Sequence, residues 1–148
     1  MSATEYLFFT VRKDYSGVEH RAIAHASVAM ATYVESEVRP GGLLFLKTVD
    51  GSEVNFSHNA TARYEALLGS GMEEYVERGT DPRRVAVRLA GVRGAVYSPG
   101  DEVTKSKLVL RRGEGALELE GGAADHFWRT LRGPDAAPVE IEEVRGEM

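Results

Sequence analysis

The chain has 148 residues, of which 43% are hydrophobic and 28% charged, with no cysteine and a formal net charge of −5. That length suits one domain and allows roughly two thirds of the unfolded surface to be buried, so a core can form without staples. The absence of thiols excludes disulfides, thiolate zinc sites, iron–sulfur clusters and cysteine nucleophiles.

Residues Glu5 to Val11 (EYLFFTV) alternate Leu7, Phe9 and Val11 with Tyr6, Phe8 and Thr10. β-formers at both sets of positions predict a strand buried in part on each face. Glu5 before this short apolar run and Arg12 and Lys13 after it reverse the charge order of a secretory signal. No apolar run approaches the roughly 20 residues of a membrane span. A cytoplasmic location without membrane contact is therefore expected. Fourteen arginines against four lysines point to GC-rich coding, as in some bacteria and their phages.

Ser16 and Glu19 stand at the spacing of a capping box and predict the start of a helix. On that helix Ile23, Ser27, Met30 and Val34 share one face, flanked by Ala22, Ala26, Ala29 and Tyr33. His25 then faces solvent and His20 borders the apolar stripe, about 140° away, so the pair cannot share a metal ion. Pro40 and the glycines after it end the helix. LLFLKTV and EVNFS flank Asp50-Gly51, a dipeptide favoured in type I′ hairpins.

A second helix follows in SHNATARYEALL, with Ser57 or Asn59 as cap and Ala60, Tyr64, Leu67 and Leu68 on its apolar side. MEEYVERG reads as a short further helical piece. RVAVRLAGV has period two, placing Val85, Val87 and Leu89 inward and Arg84, Ala86 and Arg88 outward on a strand. SPGD is a turn, KLVLRR and GALELEG form a second hairpin through Gly113-Glu114, and AADHFWRTL is a final helix presenting Phe127, Leu131 and Trp128. The expected fold is a single α+β domain over residues 1–133: an antiparallel sheet with two main helices on one face, in ferredoxin-like βαββαβ order, with a C-terminal hairpin and short helix. Residues 134–148 are an acidic tail or, through Val139, Ile141 and Val144, an edge strand.

Catalytic motifs fail on inspection. GSGMEE follows a helix and lacks the third glycine of a dinucleotide fingerprint. GDEVTKS has Thr104 where a phosphate loop needs glycine, and Asp101 and Glu102 repel phosphate. His58, between a strand end and a helix start, could serve as a neutral general base, but no nucleophile or orienting carboxylate can be placed beside it. Asp125-His126 opens the last helix, where an acidic residue suits the dipole. No catalytic residue, metal ligand or cofactor is assigned.

The charge pattern carries more. Residues 1–82 hold 7 basic and 12 acidic groups, a net of −5; residues 83–112 hold 8 and 2, a net of +6; residues 113–148 hold 3 and 9, a net of −6. In a split βαβ unit Arg12 and Lys13 would approach Arg83 and Arg84 near the helix start at Ser16 and Gly17, forming an anion cradle that Lys105, Lys107, Arg111 and Arg112 extend. Segregated charge without a catalytic set predicts a non-catalytic protein-binding or assembly module, a homo-oligomer or a component of a larger complex. Nucleic-acid or nucleotide binding through residues 83–112 is the alternative, disfavoured by the acidic total. A small hydrolase or transferase using His58 is the second alternative.

Overall fold

A computed structural model describes residues 6–13, 17–35, 42–78, 83–113 and 115–133. Strand β1 (Tyr6–Lys13) is followed by a second strand, β2 (Gly17–Ala24), where the capping-box reading placed a helix. The two pair antiparallel from Tyr6↔Ala24 to Lys13↔Gly17, forming a two-stranded ribbon. Gly17, opposite Lys13 at the start of β2, has φ +99°, a left-handed conformation open to glycine at no cost. Glu19 consequently serves the ribbon: its carboxylate takes Lys13 Nζ at 3.3 Å and Arg21 Nη2 at 2.6 Å. Ser16 lies outside the described residues.

A 3₁₀ turn (His25–Ser27) leads into β3 (Val28–Val34). His25 is buried here, not solvent-facing, whereas His20 sits on the exposed side of β2. Strands β4 (Leu43–Thr48) and β5 (Glu53–Phe56) form the expected hairpin. Its turn differs from type I′, which requires positive φ at both central residues. Only Gly51 has it (φ +93°), and Thr48 N–H donates to Ser52 O at 2.9 Å, as in a three-residue loop ending in a glycine bulge.

Helix α1 (Ala60–Leu68) buries Ala60, Tyr64 and Leu67 as predicted; Asn59 occupies the cap position at φ 54° without a side-chain capping bond. The MEEYVERG segment is a strand, β6 (Glu73–Glu77), and β7 (Arg83–Val87) follows. The central sheet has the order β5-β4-β3-β7-β6, antiparallel throughout. β8 (Gly94–Ser98), which the sequence reading missed, joins β9 (Lys107–Arg111) and β10 (Ala116–Glu120) in a three-stranded sheet that carries α2 (Gly121–Arg132).

The class is α+β, but the ferredoxin-like order required a helix directly after β1, and a strand stands there instead. Nor do the two helices share one face. One cluster joins α1 (Tyr64, Leu67) to Ala31, Tyr33, Leu44, Leu46 and Ala86 of the central sheet and to Leu7 of the ribbon. The other joins α2 (Ala124, Phe127) and the three-stranded sheet (Leu108, Leu110, Leu117, Leu119) to Val85 and Val87. Ala86 and Val85 are neighbours on one strand, so their side chains lie on opposite sheet faces, and the sheet separates the clusters. β7 is thus covered on both faces, which corrects the outward placement of Ala86 and Arg88. β1 shows the reverse: Leu7 is buried while Tyr6 and Phe8 are exposed.

Arg88 joins these layers. The register of β3 slips between Val28 and Met30, a bulge that turns carbonyls away from the ladder. Arg88 N–H donates to Ala29 O (2.9 Å), its Nε to Val28 O (3.0 Å) and its Nη2 to His25 O (2.8 Å). Ser70, just past the end of α1, accepts Nη1 at its carbonyl and Nη2 at its hydroxyl. From the second cluster Arg112 donates to the carbonyls of Arg88 and Ala90. Burial, and then the Arg112 charge, hold the Arg88 guanidinium below its ordinary pKa. Among the described residues no helix is long and apolar enough to cross a membrane.

Arg88→Met keeps the apolar stem but leaves the Val28 and Ser70 carbonyls without this donor, while His25 O keeps the Val28 amide. It should cost about 3 kcal/mol, since each buried acceptor left unsatisfied costs roughly 1–3 kcal/mol. A fall in the urea midpoint at unchanged slope checks this.

Candidate functional site

The expected anion cradle is not assembled, because β1 pairs with β2 while β7 lies between β3 and β6. Most of the basic residues meet acceptors within the fold. Arg83 pairs with Glu77, its cross-strand neighbour, at 3.1 Å. Arg84 reaches Glu74 at 2.7 Å and Glu65 at 3.1 Å, and it lies over the Tyr64 ring with 4.8 Å from Cζ to the centroid. Tyr64 O–H donates to the same Glu74 oxygen at 2.8 Å, and burial followed by that carboxylate drives the phenol pKa upward. Lys107 pairs with Glu118 at 2.6 Å and Lys13 with Glu19. Arg112 is committed to carbonyls, on the opposite face from Arg111. Arg12, Lys105 and Arg111 are exposed.

Arg12 falls instead into a grouping with Arg21 and Arg63. An open cleft of about 730 Å³ separates the inner side of the ribbon from β5 and the start of α1. Its lining includes Phe9, Arg12, Arg21, Phe56, His58 and Arg63. Arg63 spans it: Nη1 donates to Phe8 O at 3.0 Å, Nε to His58 O at 3.2 Å, and the guanidinium lies 4.4 Å from the Phe56 centroid. Phe9 meets Phe56 edge-on at 5.2 Å, making an aromatic floor. Desolvation lowers the Arg63 pKa. Arg21 shares the Glu19 carboxylate with Lys13, and Glu53 adds an acidic side chain to the lining. Arg21 and Arg63 escaped the sequence reading because the first was assigned to a helix and the second is a lone arginine on a predicted helix. Neither carries a motif.

His58 lines this cleft with Ser57 and Glu53; its carbonyl accepts Arg63 Nε, and among the described residues no hydrogen bond joins the Ser57, His58 and Glu53 side chains into a nucleophile–base–carboxylate relay. Among the described residues no group of three or more His, Asp or Glu side chains is placed to hold a metal ion. Asp125 and His126 lie in the middle of α2, not at its start. Asp125 accepts Tyr97 O–H at 2.6 Å, and that bond, with one from Ser106, lowers its pKa. Tyr97 also stacks on Trp128 at 5.2 Å. The GDEVTKS loop closes on itself: Asp101 Oδ1 accepts the amides of Val103 and Thr104, so those donors are already used.

Arg63→Ala removes the tether between α1 and β1. Loss of the two carbonyl bonds and the ring contact should cost about 1–2 kcal/mol, with hydrogen exchange quickening in β1 and β2 before the central sheet. Asp125, with its folded pKa depressed, contributes stability that is present above its unfolded value and lost as pH falls through the folded one. Tyr97→Phe should therefore flatten the acid limb of a stability profile below about pH 4. Comparisons with protein-family models, with curated proteins and with solved structures find no match to this chain.

Proposed function

We propose that this protein is a non-catalytic assembly module that associates with further copies of itself through the β1–β2 ribbon. The observation that carries the reading is the outer ribbon face, where Tyr6 is 50%, Phe8 67% and Val18 56% exposed. Phe8 lies opposite Ala22 and Tyr6 opposite Ala24, so the apolar positions are continuous across both strands, and the Tyr6 and Phe8 rings are 6.1 Å apart. Contiguous exposed apolar surface of this kind marks interaction sites.

Among the described residues the ribbon has two strands, and each offers an edge to a neighbour. An edge that meets its own copy across a two-fold axis pairs antiparallel with itself, the simplest closed assembly. The internal ion pairing of Arg83, Arg84 and Lys107 weakens the case for a nucleic-acid surface in residues 83–112, which rests on unpaired positive charge.

The native protein should therefore have a mass that is a multiple of 16.2 kDa. Tyr6→Asp with Phe8→Asp should reduce it to a single chain while leaving the circular dichroism spectrum intact. A wild-type mass of one chain at all concentrations, with no change in the double variant, would defeat the reading.

A further inference from the structure

We infer that this protein has a second self-association surface, separate from the ribbon: the free edge of β8 pairs antiparallel with β8 of another copy about a two-fold axis at Val96. Strand order leaves six edges among the described residues, at β1, β2, β5, β6, β8 and β10. Five of these strands carry charged side chains, such as Arg12, Glu19, Glu53, Glu73 and Glu118, whereas β8 (GAVYS) carries none. Charge on an edge strand discourages pairing with another chain, and β8 lacks that protection. Nor does α2 close the edge at its start, where an open cleft of about 320 Å³ lies between Gly94 and Ala95 and the side chains of Trp128 and Leu131.

The groups on that edge follow from the ladder. Arg93 N–H donates to Arg111 O at 2.7 Å, so Arg111 turns its carbonyl toward β8. Alternation along β9 turns the backbone groups of Val109 and Lys107 the same way, and their partners Val96 and Ser98 face β9 in return. Ala95 and Tyr97 therefore present N–H and C=O outward. A two-fold axis at Val96 sets Ala95 of each copy against Tyr97 of the other and uses all of these groups in four hydrogen bonds, with Val96 meeting itself at the non-bonded position between them. Val96 is 53% exposed and free to do so. The ladder ends there, because the Arg93 amide is spent on Arg111 and Pro99 has no N–H.

A second copy is the occupant because the two ends of β8 carry opposite charge. Exposed Arg93 and Arg111 stand at its start, and exposed Asp101 and Glu102 follow its end. The cations near that end are turned elsewhere, Lys105 toward Gly121 and Lys107 onto Glu118. Antiparallel pairing brings the start of each strand to the end of the other, so Arg93 of one copy lies opposite Pro99 of the next, two residues from Asp101. Four backbone bonds and one valine pair make this the weaker of the two contacts, filled at high concentration or once ribbons have paired.

The test introduces cysteine into the full chain, which has none. Under a mild oxidant Val96→Cys should form a covalent dimer about ten times faster than Ser98→Cys, because facing Cα atoms at position 96 stand about 4.5 Å apart, within disulfide range, whereas Ser98 faces Gly94. Ala95→Pro added to Val96→Cys removes an outward N–H and no bond between β8 and β9, and should slow cross-linking to the Ser98→Cys rate. In native mass, wild type should pass from two copies to four as concentration rises, while Val96→Lys and Val96→Glu each stop at two. An equal mixture of those two variants should reach four again, since lysine then opposes glutamate at position 96, and that recovery shows that both fold. Equal cross-linking rates at 96 and 98, or charged variants that assemble as wild type does, overturn the inference and leave ribbon-mediated assembly standing. Mass lowered by the Val96 variants but not by Tyr6→Asp with Phe8→Asp overturns the ribbon reading instead. A wild type that is one chain at every concentration, with no preferred cross-link at 96, overturns both.

Discussion

The interior of this protein is organised around a buried cation that has no carboxylate partner among the described residues. Arg88 is 8% exposed, and its bonds go to the carbonyls of His25, Val28 and Ser70 and to the Ser70 hydroxyl. Arginine tolerates such a site because its pKa lies far enough above neutrality that desolvation does not discharge it. Its partners are the carbonyls of His25, which also accepts the Val28 amide, of Val28 at the β3 bulge, and of Ser70 just beyond the C-terminal end of α1, where helical carbonyls lack donors and the dipole is negative. Arg112 then fixes the second layer to the backbone of Arg88 itself. The relative placement of the 3₁₀ turn, β3, α1 and the β9–β10 hairpin thus depends on one planar group with donors in several directions.

The ribbon is held by weaker means. Leu7 is buried against the α1 cluster, Phe9 and Ile23 are partly so, and Arg63 adds two bonds from the helix. Everything on its outer face is open to solvent. A two-stranded ribbon is marginal by itself, so its order is borrowed from the inner face, and its local stability lies below that of the central sheet. Elements of that kind are drawn on for binding, because a partner that covers their free face adds burial where the fold supplies least.

The parts of the fold legible in the sequence are those where pattern and turn chemistry agree. Asp50-Gly51 between apolar runs gave the β4–β5 hairpin, Tyr64 and Leu67 at helical spacing gave α1, and Leu108, Leu110, Leu117 and Leu119 gave the β9–β10 pair. Residues 17–34 misled because their apolar content is largely alanine, which satisfies helical spacing without excluding a strand. The phase change at the 3₁₀ turn and the bulge at Ala29 then broke the period-two signal that Val28, Thr32 and Val34 would otherwise give. β6 was obscured by its glutamates, which belong to an edge strand whose Glu74 reaches inward to Arg84 and Tyr64. The cleft was illegible because its arginines come from β1, β2 and α1, and only the unpredicted ribbon brings those three elements together.

Charge summed along the chain and charge arranged in space therefore lead to different surfaces. The basic segment 83–112 is basic because its strands run beside acidic ones: β7 beside β6, with Glu74 and Glu77, and β9 beside β10, with Glu118. Of its further cations, Arg88 and Arg112 are turned onto carbonyls, while Arg93, Lys105 and Arg111 are exposed. The cations without an ion pair among the described residues thus include Arg93, Lys105 and Arg111 of that segment and Arg12 of the ribbon. Since a protein's field acts through what remains after local neutralisation, the charge a partner meets is set by these exposed side chains and not by the sum along the segment.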